Sequence, residues 1–183
     1  MSPSLPQAVL LVDGYNIIGA WSCLKKTRDS AGLEAARCDL IEAMTSYSAF
    51  HGYNTQIVFD AHYQNTCSNS EVITELLSVY YTDFGQTADT YIEKACASLR
   101  HQIAASLVSR VIVATSDRAQ QLMVHGYGAE WISAQQFCHA VKATVCHTYQ
   151  KSQQKKHSKS RFLANSIDAK ARQRLAELRM GLG

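Results

Sequence analysis

Three apolar runs constrain this chain more than any other feature: residues 8–12 (AVLLV), 57–59 in the segment TQIVFDAHY, and 111–114 in RVIVATSD. None is interrupted by polar residues, so each suits a central strand of a parallel sheet, covered on both faces. Helical patterns lie between them. Alternation of this kind specifies an α/β fold, a mainly parallel sheet with helices on both faces, joined by right-handed crossovers.

The helical pattern from Leu33 to about Phe50 places Leu33, Ala36, Leu40, Ala43, Met44 and Tyr47 at three- and four-residue steps. That spacing gives one buried stripe, and His51-Gly52 ends it. SCLKKTRDSAG, before it, reads as a polar link, and QNTCSNS as a loop. EVITELLSVYYT, Glu71 to Thr82, is mixed: its first half has the composition of a helical turn, and a strand is predicted over residues 76–82. TADTYIEKACASLRHQIAASL is a helix with Thr87 as N-cap, and RAQQLMVHG a short helix stopped by glycine. AEWIS is a short strand, and SAQQFCHAVKATVCHTYQ a helix capped by Ser133. There is no internal repeat.

Charge divides the chain. Residues 1–150 contain nine Lys or Arg against thirteen Asp or Glu, whereas residues 151–183 contain nine against two. The expected organisation is therefore an acidic domain, 1–150, and a basic tail, 151–183, that attracts a polyanion. Lys151, Lys155, Lys156, Lys159 and Arg161 form a linker without acids and are the candidate nucleic-acid contacts. Beyond it, Ile167, Ala171, Leu175 and Leu178 fall on one face of a terminal helix. The six cysteines never form a CxxC pair and most lie in apolar segments, which implies reduced thiols and a cytoplasmic location. No stretch has the length and apolarity of a membrane span, and no membrane partner is expected.

Strands that end in acid make the candidate site. LLVDG, IVFDA and VATSD end at Asp13, Asp60 and Asp117, and TADTYIE puts Asp89 and Glu93 one turn apart on one helix face. The carboxyl ends of strands in an open parallel sheet share one edge, where ligand sites form, so these five acids are expected to converge. Two carboxylates about 5 Å apart repel by roughly 3 kcal/mol at an effective dielectric near 20. Crowding therefore implies protonation or a shared cation. An all-oxygen donor set favours Mg²⁺ or Mn²⁺ over zinc. Gly14 would let the chain turn closely beside a phosphate, and the Asn16 carboxamide could orient a water or a substrate oxygen without adding charge.

Each acid also has an ordinary explanation. Asp13-Gly14 is the composition of a turn, Asp89 and Glu93 suit the first turn of a helix, Asp117 suits an N-cap, and Asp60 a strand exit. The seven histidines show no paired ligand spacing. Tyr80, Tyr81 and Phe84 could stack on bases, although core packing is the commoner use of such residues. Neither GxxxxGK[ST] nor GxGxxG occurs, which argues against the commonest nucleotide sites.

Taken in order, LLVDGYNIIGAW, ARCDLIEAM, IVFDAHY, TADTYIE and VATSDRAQQ…GYGAEWIS closely resemble the YacP-like branch of the NYN-domain ribonucleases, relatives of the PIN-domain nucleases. The resemblance covers about residues 8–149, and the closing LAELRMG is similar as well. It implies a PIN-like three-layer sandwich and a metal-dependent acidic site that cuts mRNA in association with the translating ribosome. On that resemblance Asp13 is the first-strand acid, Asn16 the asparagine of the NYN signature, and Asp89 the acid of the TAD motif. Asp60 and Asp117 match further acidic positions, and Glu93 the helix acid. The expected catalytic set is thus Asp13, Asn16, Asp89 and Asp117, with Asp13, Asp60, Asp89, Glu93 and Asp117 around the metal. Two rivals remain on the residues: a non-catalytic RNA- or ribosome-binding module that uses the basic tail, and a phosphohydrolase with Asp60 as nucleophile. The second lacks the further Asp two residues on that such enzymes need.

Overall fold

The computed structural model describes residues 8–60, 69–104, 108–148 and 151. Its centre is one six-stranded sheet: β1 (Ala8–Asp13), β2 (Tyr53–Phe59), β3 (Asn69–Thr74), β4 (Leu77–Tyr81), β5 (Val111–Ala114) and β6 (Glu130–Ile132). The strand order is β3-β4-β2-β1-β5-β6. All pairs are parallel except β3 with β4. The helices are α1 (Gly14–Ala20), α2 (Ser22–Ala31), α3 (Leu33–His51), α4 (Ala88–Ala104), α5 (Arg118–Gly126) and α6, helical from residue 134.

The two-residue period of a strand sorts the apolar runs onto two faces. Ala8, Leu10 and Val12 join Ile57, Phe59, Leu77, Val79, Ile112 and Ala114 in one core, against Ile17, Ile18, Trp21, Leu24, Ala36, Leu40, Met44 and Phe137. Val9, Leu11, Val58, Val111 and Val113 face the other way, against Ala88, Ile92, Cys96 and Val124. α1, α2, α3 and α6 thus cover one face, and α4 and α5 the other. This is the three-layer α/β architecture that the unbroken apolar runs require.

Local chemistry sets the boundaries. Gly52 takes the left-handed conformation at φ 65°, and its N–H returns to the Ser48 carbonyl, ending α3 where the sequence indicated. Ser133 and Gln136 form a reciprocal cap at the start of α6: Gln136 N donates to Ser133 Oγ (3.2 Å), and Ser133 N to Gln136 Oε1 (3.3 Å). The Trp21 indole N–H reaches the Ala134 carbonyl at 2.7 Å, fastening α6 to the α1–α2 corner.

Three expectations change. The polar link SCLKKTRDSAG is a helix, α2, which buries only Leu24 and so offers no apolar stripe to read. Thr27 Oγ1 donates to Asp39 Oδ2 at 2.8 Å, one polar tie from α2 to α3. The first half of EVITELLSVYYT is not a helical turn but part of β3, an antiparallel edge strand whose register shifts between Val72 and Thr74. Its partner β4 lies within the predicted strand. The cysteines divide: Cys96 is buried, whereas Cys23, Cys38 and Cys146 are exposed.

Residues Met1–Val145 form one compact unit and Cys146–Gly183 a second. In the second, the described residues 146–148 and 151 are helical, and Lys151 is exposed. Lys155, Lys156, Lys159, Arg161 and the expected terminal helix lie outside the described residues. Among the described residues no helix is long and apolar enough to cross a membrane.

Candidate active site

The site forms where the strand order reverses. From β1 the chain crosses to β2 on one side, while β5 lies on β1's other side and leads outward to β6. Such a switch point opens a crevice at the carboxyl edge. Asp13, the last residue of β1, pairs in register with Val58, and Asp60 lies two residues beyond Val58, just past the end of β2. Asp117 follows β5, and Asp89 lies in the first turn of α4. Four separate segments thus deliver four aspartates to one edge.

Each aspartate spends one oxygen on local structure. Asp13 Oδ1 accepts from Asn16 N (3.1 Å) and caps α1, and Asp117 Oδ1 accepts from Ala119 N (2.7 Å) and caps α5. Asp60 Oδ1 accepts from the backbone N–H of Ala88, the first residue of α4, and Asp89 Oδ1 from the Gln120 carboxamide. The ordinary reading of Asp117 as an N-cap is therefore correct for its Oδ1, and Asp13, whose ordinary reading was a turn, caps a helix as well. Among the described residues no hydrogen bond engages any of the four Oδ2 atoms.

The charges of Asp60, Asp89 and Asp117 act on Asp13, and those of Asp117 and Asp60 on Asp89. Asp13 is 7% exposed, and its pKa is pushed up to about 7. Burial is the main cause; the Asn16 N–H opposes it, and the charges of Asp89, Asp60 and Asp117 add to it. Asp89 is also raised, by burial first and then by Asp117 and Asp60, against the Gln120 bond. Glu93 is absent from both sets of neighbours. Exposed, one turn along α4, it accepts from the Tyr127 hydroxyl at 3.3 Å. Of the five acids expected to converge, the four aspartates are linked by these charge effects and Glu93 is not among them.

The donor set fits a hard dication in its chemistry: oxygen only, anchored at one atom each, carrying charge that burial and repulsion disfavour. The ligand shell is not closed. Among the described residues no group of three or more His, Cys, Asp or Glu side chains stands in a metal-holding arrangement. Ligation by this set would use the Oδ2 atoms.

The loop carrying Asp117 is fixed at three points. Ser116 N donates to Asn16 Oδ1 (2.7 Å), Asp117 N to Thr115 Oγ1 (3.1 Å), and the Trp131 indole N–H to the Thr115 carbonyl (3.0 Å). Asn16 thus commits one lone pair of its carbonyl oxygen to holding that loop, and its amide nitrogen keeps two donors for a ligand. Gly14 has a different reason from the one anticipated. A Cβ there would fall inside the van der Waals envelope of the Phe59 ring, so glycine admits an aromatic side chain, not a phosphate.

Two residues escaped the sequence reading. Gln120, 3% exposed, bonds Asp89, and its Oε1 has no partner among the described residues. Arg37 is also buried on the α3 stripe; it donates to the Tyr15 hydroxyl (3.2 Å), pairs with Glu34 and lies 5.9 Å from the Tyr81 ring centre. Both sit at helical spacing from apolar residues, and a polar residue on such a stripe was the available signal. Phe84 is 82% exposed on the turn before α4, whereas Tyr80 and Tyr81 pack against Tyr91 and Phe59.

The YacP-like NYN domain matches residues 10–180. The protein YacP of Bacillus subtilis (strain 168) is 35% identical over 134 residues, 73% of this chain and 75% of that protein. A crystal structure of Rae1 (YacP) from Bacillus subtilis superposes with a TM-score of 0.67 at 30% identity, covering 94% of this chain and 95% of that one. A point mutant of the same protein gives 0.67 at 33% identity, over 82% and 84%.

Proposed function

This chain belongs to the YacP-like NYN domain family, a membership that points to nuclease activity, and on that premise we propose a divalent-metal-dependent endoribonuclease that cuts mRNA in association with the translating ribosome. The observation that carries the nuclease reading is that the charges of Asp60, Asp89 and Asp117 reach buried Asp13 at the switch-point edge, and those of Asp60 and Asp117 reach Asp89. Mg²⁺ or Mn²⁺, held by those four, would supply polarisation of a phosphodiester and a water nucleophile near neutral pH.

The chain's own residues do the rest. Asp13, buried at the end of β1, presents a carboxylate that gains most from a neighbouring positive charge. Asn16 and Thr115 hold the loop of Asp117, and Asp60 ties the β2 end to the first residue of α4, so that Asp89 is set against the other three. Water attack on the phosphorus leaves a 5′-phosphate on the downstream fragment. Phe84, projecting from the turn that leads into α4, offers a base of the strand a stacking surface. The basic residues Lys151, Lys155, Lys156, Lys159 and Arg161 supply attraction to RNA or to the ribosome that an acidic domain lacks.

The test is incubation of the full chain with translated and with naked mRNA in Mg²⁺, Mn²⁺ or chelator, with mapping of new 5′ ends. Metal-dependent 5′-phosphate ends, enriched on translated message, are the expected result. Ends that appear equally in chelator overturn the metal site, and equal cutting of both RNAs overturns the ribosome's part. Removal of residues 151–183 should leave cutting of a short free RNA partly intact, whereas a tail-only binding module would show no cutting with or without it.

A further inference from the structure

We infer that Gln120 is a positioning residue for dication binding, acting through Asp89; this rests on the metal-dependent reading above. Gln120 is the third residue of α5, and with Val124, one turn on, it is one of the two buried residues of that helix. A leucine or methionine would fill such a place at no polar cost. The carboxamide instead spans to α4, 31 residues away in sequence, where its N–H donates to Asp89 Oδ1.

The bond fixes which oxygen of Asp89 is used for structure. With Oδ1 held by Gln120, Oδ2 is the atom of Asp89 without a hydrogen bond among the described residues. The other end of Gln120 carries the second observation: Oε1 is buried and has no hydrogen-bond partner among the described residues. A glue residue between two helices has no reason to leave a buried acceptor unmet. An acceptor beside Asp89 suits an O–H donor that arrives with the cation, a water drawn in with it. Partners of this kind orient ligating carboxylates, and their loss commonly weakens metal affinity 10- to 100-fold.

A structural and a positioning role make opposite predictions for Gln120→Met, which keeps size and removes both polar ends. The measurement is Mn²⁺ affinity by calorimetric titration of the full chain, with melting temperature read on the same metal-free samples. Positioning predicts a Kd for Mn²⁺ weakened roughly 10-fold or more, with a melting temperature unchanged or raised because the unmet acceptor is gone. It also predicts that Gln120→Met has no further effect on Kd in an Asp89→Asn background. An unchanged Kd with a lowered melting temperature overturns the inference and leaves the metal site standing. If Gln120→Met folds poorly, Gln120→Leu is read by the same Kd. No Mn²⁺ binding by the unaltered chain overturns the metal reading itself, and the inference with it.

Discussion

Asn16 and Ser116, 100 residues apart in the chain, meet across the seam between β1 and β5: the Ser116 N–H donates to Asn16 Oδ1 at 2.7 Å. The asparagine therefore connects the first strand's acid to the loop that carries Asp117. Its side chain is a brace.

Replacing Asn16 with Ala should remove that brace, at a cost of about 0.5–1.5 kcal/mol in stability, as for a typical intramolecular hydrogen bond. Cleavage should fall by far more than the stability loss accounts for, because Asp117 loses its register. Asn16→Asp keeps the acceptor for Ser116 but adds a fifth negative charge, and should fold while binding RNA more weakly. Urea unfolding beside RNA binding separates the two variants.

Asp13 gives the metal-free protein an inverted pH response. Its folded pKa, about 7, lies above its ordinary value of 3.8. The folded chain keeps a proton that the unfolded chain releases near pH 4. Stability from this group is thus full below pH 4 and declines as pH rises through about 7, by on the order of 2–4 kcal/mol. Asp13→Asn, which can still cap α1, should flatten that decline in chelator. Mg²⁺ should stabilise the parent chain at pH 8 and the variant much less. Melting curves from pH 4 to 8 check both.

Gly14→Ala should cost about 1–3 kcal/mol, the usual range for overpacking, because the new methyl overlaps the Phe59 ring. Phe59 is fully buried and cannot swing into solvent. Shortening it in the double variant Gly14→Ala with Phe59→Leu should recover part of the loss. Non-additive urea midpoints would show the coupling, and simple addition would refute it.

Phe84→Ala should weaken binding of single-stranded RNA by about 1–3 kcal/mol, the loss of one stacked base, while leaving melting temperature unchanged for so exposed a side chain. Phe84→Trp should retain affinity and show fluorescence quenching on binding. Anisotropy of a labelled oligonucleotide in an Asp89→Asn background measures it without cleavage.

The parts of the molecule that were legible are those where one physical demand fixes the sequence. AVLLV and VIVA are apolar throughout because β1 and β5 are covered on both faces, and the aspartates end strands because the carboxyl edge is where solvent and ligand enter. α2 was not legible, since a helix that contributes only Leu24 to the core has no stripe. The strand β3 was hidden for a related reason: at a sheet edge Val72 is 74% exposed, and the apolar signal fades. Among site residues the acids could be found from strand ends. Glu93 followed the same helical logic as Asp89, yet one turn of helix was enough to carry it to Tyr127. Gln120 and Arg37 were visible only as polar residues on apolar stripes, a pattern whose meaning depends on which side chain stands opposite.

The most direct measurement is single-turnover cleavage of a short 5′-labelled RNA by the parent chain, Asp13→Asn and Asp89→Asn across a Mg²⁺ titration, with circular dichroism confirming each fold. Cleavage that rises with Mg²⁺ in the parent and is lost in both variants is the predicted result. Folded variants that cut as fast as the parent would contradict a shared cation at this edge.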